Sequence, residues 1–225
     1  ATMNWFDAKK CSAVDAAAMI NDGDVLGVSG FTLAGYPKEV PTALAARAEK
    51  LHAEGKPFKV TLFSGASTGD SCDGALARAQ AVSLRMPYQS NPSLRKAINA
   101  GQIKYIDAHL GKMGYLVRTG AVSAPTVAII EVSAILSDGR VCLSTSGGNS
   151  VTYLEMAPKI ILELNTRLGD SFMGIHDTAL PELPPHAKPL PIYSAGDRVG
   201  SEFVKIDPSK VIAVVETSRL DEVNP

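Results

Sequence analysis

Cysteine is scarce in this sequence, with three residues in 225: Cys11, Cys72 and Cys142. They are odd in number, far apart and not arranged as CxxC, which argues against a disulfide scaffold or a zinc site and favours a reducing compartment. We interpret all three as packing residues. The four histidines also lack the spacing of a metal-binding motif, so we expect no metal site.

Charge imbalance and long apolar runs are missing as well. Lys and Arg number 22 against 23 Asp and Glu, a net charge of -1, which gives no electrostatic reason to expect nucleic acid or an anionic membrane as a partner. No run of about 18 apolar residues occurs, and the amino terminus lacks the order of a signal peptide. We therefore expect a soluble, cytoplasmic protein.

Apolar, β-branched runs alternate with alanine-rich segments, and 45% of the residues are hydrophobic, enough for a sizeable core. Near-continuous apolar runs mark strands covered on both faces, which predicts an α/β fold: an open, mostly parallel twisted sheet with helices on both faces. The predicted strands are residues 24–30, 59–66, 81–86, 127–135, 159–165 and 211–217. The predicted helices are residues 12–21, 41–54 and about 91–101, with a short helix from near Thr152.

The proline cluster "LPELPPHAKPLP", Leu180 to Pro191, is predicted to be an extended loop rather than a domain linker. The reason is that "VIAVVET", which follows it, has the character of one more strand of the same sheet. The chain then stops at "SRLDEVNP" without a closing element. We expect the natural polypeptide to continue beyond it.

Small and polar residues follow the first predicted strand, in "SGFTLAGYPKEVP". Gly30 and Gly35 allow close backbone approach or positive φ, Thr32 offers a hydroxyl, and the next helix can direct free N–H groups at an anion. The turn therefore suits a carboxylate or a thioester oxygen. The alternative is that the glycines only close a tight turn between strand and helix.

Two further loops repeat this composition. "FSGASTGDSCDG", Phe63 to Gly74, places Gly65 and Ser67 after the second strand, without the P-loop or GxSxG patterns, so Ser67 is predicted to be a hydrogen-bond donor rather than a nucleophile. "STSGGNS", Ser144 to Ser150, is the third. Three loops that each follow a strand can converge on one edge of the sheet, which favours a ligand site there.

Charged candidates are fewer. Glu131 and Glu163 interrupt apolar strands and are either buried functional groups or residues that find a hydrogen-bond partner, and we favour the second. His176 beside Asp177 is interpreted as a structural polar contact. The basic residues among apolar ones are interpreted as a solvated helix face, and the two aromatic residues near the amino terminus as a hydrophobic anchor. These are Arg78, Arg85, Arg95 and Lys96, and Trp5 and Phe6.

The chain resembles the amino-terminal domain of the class I coenzyme A transferases, in the acetyl-CoA hydrolase/transferase branch. The stretches that carry the resemblance run in order from about residue 22 to residue 217. They are "DGDVLGVSGFTLAGYPKEVP", "SGASTGDSCDG", "RMPYQSNPSLRKAINAGQIKYIDAHL", "EVSAILSDGRV", "SGGNS", "KIILELN", "GIHD", "DRVG" and "IDPSKVIAVVET". Several of these stretches are similar to those of family members that move CoA between succinate and propionate or acetate.

The resemblance implies that residues 1–225 are the amino-terminal domain of a two-domain enzyme with its active site between the domains. In that family a glutamate attacks the acyl-CoA, and a glutamyl-CoA thioester then passes CoA to an acceptor carboxylate. That glutamate lies in the second domain, outside this sequence, so no catalytic residue is expected here and the chain alone should be inactive. Coenzyme A is implied as a substrate, with no covalently bound cofactor, and the assembly as a homo-oligomer.

By the same resemblance, Ser67 with Gly65 would face the active site, and Gly30, Phe31 and Thr32 would line the small-acid pocket. Some relatives carry arginines near the cleft, where this chain has Arg219 followed by acidic residues. Two alternatives stay open: an acetyl-CoA hydrolase, and, from a different class, a non-catalytic binding or scaffold module.

Overall fold

A computed structural model describes residues 3–223, so the predicted domain limits, residues 1 and 225, lie outside the described residues. The described chain forms one nine-stranded sheet. Its strands are β1 (Val25–Val28), β2 (Val60–Phe63), β3 (Val82–Met86), β4 (Lys104–Tyr105), β5 (Val127–Ile135), β6 (Arg140–Leu143), β7 (Lys159–Asn165), β8 (Val204–Lys205) and β9 (Val211–Thr217). All six predicted strands are confirmed, and β5, β7 and β9 have the predicted bounds.

Parallel pairing dominates the sheet, as predicted. Seven strands run parallel in the order β4-β3-β2-β1-β5-β7-β9. The chain moves outward from β1 to β4 on one side and then returns to the other side of β1 with β5. In open sheets such a reversal leaves a crevice at the carboxyl ends of the strands, where ligands tend to bind.

An antiparallel pair, β6 and β8, was not predicted. β5 continues past the end of β1, and β6 turns back along this extension, pairing Ile135 with Val141 and Val132 with Leu143. β8 then pairs antiparallel with β6. Because β6 runs backwards, the segment after Leu143 returns to the level at which β1 ends, where Val28 pairs with Ile129.

Helices cover both faces of the sheet. They are α1 (Ala13–Ala18), α2 (Glu39–Ala53), α3 (Ala75–Arg78), α4 (Pro92–Asn99), α5 (Leu110–Arg118) and α6 (Ser150–Met156). The first four bury apolar residues in one core cluster, and α5 and α6 bury theirs in a second on the opposite face. Alternation along β5 divides its side chains between the two, with Ile129 in the first core and Ala128 and Ile130 in the second.

The helix ends follow the sequence signals that predicted them. Ser12 Oγ accepts the Asp15 N–H at 3.0 Å and caps α1, and Asn91 accepts two N–H groups at the start of α4. Gly55 and Gly101, with φ of 73° and 71°, follow α2 and α4. None of the helices among the described residues has the length and apolar character needed to cross a membrane.

The proline cluster lies in a long excursion, residues 179–200, with no helix or strand, as predicted. Its two ends are held together, since Thr178 and Ser201 exchange backbone hydrogen bonds of 2.7 and 2.9 Å. The amino-terminal anchor is also confirmed. Phe6 is buried in the core cluster beneath α5 and α6, and Trp5 Nε1 donates to Leu136 O at 3.1 Å.

Candidate functional site

Three loops meet at the carboxyl edge of β1, backbone against backbone. They are the β1 loop (residues 30–37), the β2 loop (64–69) and the β6 loop (144–149). A Cβ added to Gly65 would lie 2.4 Å from Gly30 O and 2.8 Å from Gly148 Cα. Gly30 and Gly148 have φ of 120° and 51°, values that L side chains rarely adopt. Glycine at these positions lets the loops touch, which confirms the predicted convergence.

Internal hydrogen bonds fix the β1 loop. Ser29 Oγ donates to Gly35 O at 2.7 Å and accepts the Glu131 N–H at 2.9 Å, which fastens the loop to β5. Phe31 is 42% exposed, and Thr32, at φ 54°, is exposed beside it with its hydroxyl donated to Phe31 O. The loop therefore buries Gly30 and presents Phe31 and Thr32 to solvent.

A buried ion pair holds the β2 loop. Arg85 on β3 and Asp73 are both fully buried, with Arg85 Nε 3.0 Å from Asp73 Oδ1 and Nη2 3.1 Å from Oδ2. Arg85 Nη2 also donates to Ala66 O at 2.9 Å. The expectation of a solvated Arg85 is wrong, because its strand lies inside the sheet and the guanidinium finds a bidentate carboxylate there.

Ser67 lies in the β2 loop, 2% exposed. Its Oγ lies 2.9 Å from Ser90 Oγ, and the two hydroxyls share a hydrogen bond. The neighbouring Thr68 is occupied, since its N–H donates to Asp73 at 2.9 Å and its Oγ1 accepts the Asp73 N–H at 3.1 Å. Ser67 and Thr68 are therefore two buried hydroxyls of this loop, of which Thr68 is tied to Asp73 and Ser67 faces Ser90.

A buried lysine lies directly behind the β1 loop. Lys38 Nζ is 2.7 Å from Glu131 Oε2 and 2.8 Å from Asp221 Oδ1, and it donates to Tyr36 O at 2.9 Å. Lys38 and Glu131 are each 1% exposed. Loss of one partner from such a pair leaves a buried charge uncompensated, so these residues constrain one another strongly.

Glu163 caps the start of α2. Its Oε1 accepts the N–H groups of Lys38 and Glu39 at 2.8 and 2.9 Å, and its Oε2 accepts that of Val40 at 3.0 Å. Burial raises the pKa of Glu163 to about 7, against the lowering effect of these three N–H groups. Our expectation of free N–H groups for a ligand anion at this helix is wrong, because Glu163 accepts them. Our preferred interpretation of Glu131 and Glu163, that each finds a hydrogen-bond partner, is confirmed.

Residues 218–223, which follow β9, are called the acidic tail here. Asp221 Oδ1 accepts the Gly35 N–H at 3.1 Å, and Oδ2 accepts the hydroxyl of Thr145 in the β6 loop. Glu222 Oε1 accepts the Tyr36 hydroxyl at 2.9 Å. Two consecutive carboxylates thus reach two of the three loops. These contacts join residues more than 75 positions apart, and nothing in the local sequence predicts them.

The remaining candidates have structural contacts. His176 Nε2 lies 2.8 Å from Ser144 O, whereas Asp177 accepts the N–H groups of Val199 and Gly200, so the two side chains bind elsewhere and not each other. The guanidinium of Arg219 is partly exposed, 3.8 Å from Glu39 Oε1.

The three cysteines pack in or against the core, as expected. Cys72 and Cys142 are buried, burial raises the pKa of the Cys72 thiol, and Cys11 packs against the core beneath α1 and α2. All three are free thiols. Within residues 3–223, no three His, Cys, Asp or Glu side chains come together in a way that could hold a metal ion.

The chain matches the family model described as the acetyl-CoA hydrolase/transferase N-terminal domain over residues 3–216. It is 41% identical to the propanoyl-CoA:succinate CoA transferase of Escherichia coli K12, across 96% of this chain and 45% of that one. The succinyl-CoA:acetate CoA-transferase of Clostridium kluyveri is also 41% identical, across 96% and 40%. An acetyl-CoA hydrolase of Neurospora crassa is 35% identical, across 96% and 42%. The chain thus spans less than half the length of these relatives.

A solved structure shares the fold. The acyl-CoA transferase of Escherichia coli O157:H7, in a thioester complex with CoA, aligns with 92% of this chain and 47% of that one, at a TM-score of 0.62 and 15% identity. At this identity the likeness concerns the architecture alone.

Proposed function

This chain belongs to the acetyl-CoA hydrolase/transferase family, and from that premise we propose that it is the amino-terminal half of a CoA-transferase for short-chain acids. The enzyme moves CoA between an acyl-CoA and a carboxylate such as succinate, propionate or acetate. One observation carries the proposal: Gly30, Gly65 and Gly148 bring three loops together where the strand order of the sheet reverses. The names of the two relatives at 41% identity support these acids.

In the proposed reaction a glutamate carboxylate attacks the thioester carbon of the acyl-CoA, and the C–S bond breaks to give a mixed anhydride and CoA thiolate. The thiolate then attacks the glutamyl carbonyl, which releases the first acid and leaves a glutamyl-CoA thioester. The acceptor carboxylate repeats these steps in reverse. Thioester energy is conserved throughout, since each step exchanges one activated acyl group for another.

The nucleophile is proposed to come from a second domain or a second chain. The two buried glutamates among the described residues have partners, since Glu131 pairs with Lys38 through Oε2 and Glu163 accepts the N–H groups at the start of α2. The described residues therefore support a role as one wall of the active site, and we propose that the chain alone is inactive. The share of the relatives that it spans, 40–45%, fits this division.

Ser67 is proposed to orient the carboxylate or acyl oxygen, because it places a hydroxyl in the β2 loop, where the three loops meet. Gly65 brings this loop against Gly30, and Phe31 and Thr32 are proposed to line the small-acid pocket from their exposed turn. The three free cysteines support a reducing, cytoplasmic location, and a homo-oligomer is proposed from the resemblance to the family.

A hydrolase is the second candidate, favoured by the Neurospora relative. In that case water rather than a carboxylate takes the acyl group, and the difference depends on whether water reaches the intermediate.

The proposal is tested with the natural polypeptide at its full length, given succinyl-CoA and acetate or propionate. We expect acetyl- or propionyl-CoA to form, and borohydride to trap a glutamyl adduct. Release of free CoA at the same rate with and without acceptor would establish the hydrolase instead. A full-length polypeptide that binds no acyl-CoA would overturn both the transferase and the hydrolase proposal.

Ser67→Ala tests the role of the loop hydroxyl. We expect kcat/KM for transfer to fall at least about tenfold, because a donor aimed at the reacting oxygens is lost. The exposed Ser123→Ala, placed before β5 at the opposite edge of the sheet, is the control and should transfer CoA normally. An unchanged kcat/KM for both donor and acceptor in Ser67→Ala contradicts the role.

A further inference from the structure

We propose that Asp221 and Glu222 are positioning residues that hold the three loops of the site in one arrangement. The inference rests on the proposed function for its catalytic consequence, while the restraint on the loops stands on the geometry alone. Neither residue is part of the pocket predicted from the sequence. They act through hydrogen bonds to N–H and hydroxyl groups of the loops and of the segment after the β2 loop, and both residues belong to the acidic tail.

The start of the acidic tail is itself fixed. Asn165, the last residue of β7, donates from Nδ2 to Arg219 O at 2.8 Å, and the Arg219 N–H donates to Thr217 Oγ1 at 3.2 Å. These two bonds direct the tail from the end of β9 across the carboxyl edge of the sheet. The carboxylates therefore arrive at the loops on an anchored backbone.

Asp221 connects the β1 loop to the β6 loop. One carboxylate oxygen accepts the Gly35 N–H and faces Lys38 Nζ at 2.8 Å, and the other accepts the Thr145 hydroxyl. A second link joins the same loops, since Ser146 Oγ donates to Ala34 O at 2.7 Å. Asp221 is the charged member of this connection, and charge-assisted hydrogen bonds are roughly twice as strong as neutral ones.

Glu222 connects the β1 loop to the segment that continues the β2 loop. Its Oε2 accepts the Asp70 N–H at 2.9 Å, and its Oε1 accepts both the Ser71 N–H at 3.3 Å and the Tyr36 hydroxyl at 2.9 Å. Burial raises the pKa of Tyr36, so its hydroxyl stays protonated and donates to the carboxylate.

Tyr36 transmits this contact to the loop glycines. A Cβ on Gly69 would lie 2.2 Å from Tyr36 Cζ, and one on Gly30 would lie 2.8 Å from Tyr36 Cβ. The ring is buried between the β1 and β2 loops, so a fixed hydroxyl keeps it in place. The tail therefore contacts the β1 and β6 loops directly and the β2 loop through Tyr36.

Asp221 can be replaced by asparagine without leaving the Lys38 charge unpaired. Lys38 has a second carboxylate, Glu131 at 2.7 Å, so Asp221→Asn leaves a buried neutral pair rather than an isolated charge. Glu222→Gln likewise keeps one oxygen acceptor. These substitutions weaken the restraint and preserve the side-chain volumes.

The experiment uses the natural polypeptide at its full length, with Asp221→Asn, Glu222→Gln and the double variant. Glu216→Gln is the matched control: it lies two residues before the tail, is 51% exposed and pairs with Lys10 at 3.2 Å, away from the loops. Hydrogen exchange is followed by peptides over the three loops, with β5 and β7 as internal references, and CoA transfer is measured in parallel.

We expect loop amides of the double variant to exchange at least about tenfold faster, with the reference strands unchanged. The KM for the acceptor carboxylate should rise at least about tenfold, a readout that a purely structural role would not move. Glu216→Gln should match the wild type in both. Unchanged loop exchange in the double variant overturns the restraint, and faster exchange with normal transfer kinetics overturns the positioning role. A wild-type enzyme that transfers no CoA overturns the proposed function instead, and exchange still tests the restraint by itself.

Discussion

The loops at the carboxyl edge of the sheet and the excursion over residues 179–200 both lack helix and strand, yet they are built in opposite ways. Every residue of the β2 loop is buried, whereas residues 184–198 of the excursion are all exposed. The loops are held by buried charged groups such as Lys38 and Arg85. In the excursion the side chains that make polar contacts are exposed, as when Asp197 accepts the Ser194 N–H.

This difference indicates where the chain requires one fixed geometry. Burying charges is costly, and replacing a buried ion pair by apolar residues is often neutral or stabilising, so such pairs are weak evidence for stability. In this chain the buried charged groups lie behind three loops that touch through glycines. Their hydrogen bonds are directional, so they restrict the geometry of those loops. The excursion needs only closed ends, which Thr178 and Ser201 supply.

The largest expected effect comes from breaking a buried pair at the edge. Arg85→Met leaves Asp73 buried and unpaired, and we expect the free energy of unfolding to fall by about 3–5 kcal/mol. Urea denaturation measures it. The control is Arg78→Met, which breaks a half-exposed pair with Asp70 and should cost less than about 1 kcal/mol. Equal losses in the two variants would contradict the distinction between buried and exposed pairs.

The free energy of unfolding should depend on pH through the carboxylate of Glu163, which lies at the start of α2. Its pKa is raised from 4.5 to about 7, so between these values the folded protein keeps a proton that the unfolded chain releases. Stability from this site is therefore present at low pH and lost as pH rises. Relative to Glu163→Gln, the free energy of unfolding of the wild type should decline by roughly 3 kcal/mol across that interval. A difference that grows with pH would show that the three N–H groups outweigh burial.

The contact between loops is tested with a single methyl group. Gly65→Ala places a Cβ 2.4 Å from Gly30 O, and overpacking of this kind costs about 1–3 kcal/mol. Gly196→Ala in the excursion is the matched change, because its Cβ meets nothing within 4 Å. Thermal unfolding of the two variants should separate them, and a stable Gly65→Ala would mean that the loops can move apart.

Sequence patterns predicted the parts of this architecture that depend on local composition. Continuous apolar runs located β5, β7 and β9 to the residue, and small polar residues after the strands located the loops that meet at Gly30, Gly65 and Gly148. α5 was missed because two glycines interrupt it, and β6 because four residues give little pattern.

Partners that are distant in sequence could not be predicted in this way. Arg85 and Asp73 find each other only once β3 lies beside the β2 loop, and Asp221 meets Gly35 across 186 positions. The N–H groups at the start of α2 were expected to be free for a ligand anion, but they donate to Glu163 of the same chain. Local patterns identify donors and acceptors, whereas the topology decides which of them pair.

The smallest expected effect is in the excursion. Tyr193 is 91% exposed, and the hydrogen bond at this position uses its backbone N–H, which donates to Asp197 Oδ2 at 2.7 Å. Tyr193→Ala should therefore change the free energy of unfolding by less than about 0.5 kcal/mol, measured by urea denaturation. CoA transfer by the full-length polypeptide should be unchanged as well. Reduced transfer at unchanged stability would assign the excursion a contact with the rest of the enzyme, and the opposition between a constrained edge and an unconstrained excursion would no longer hold.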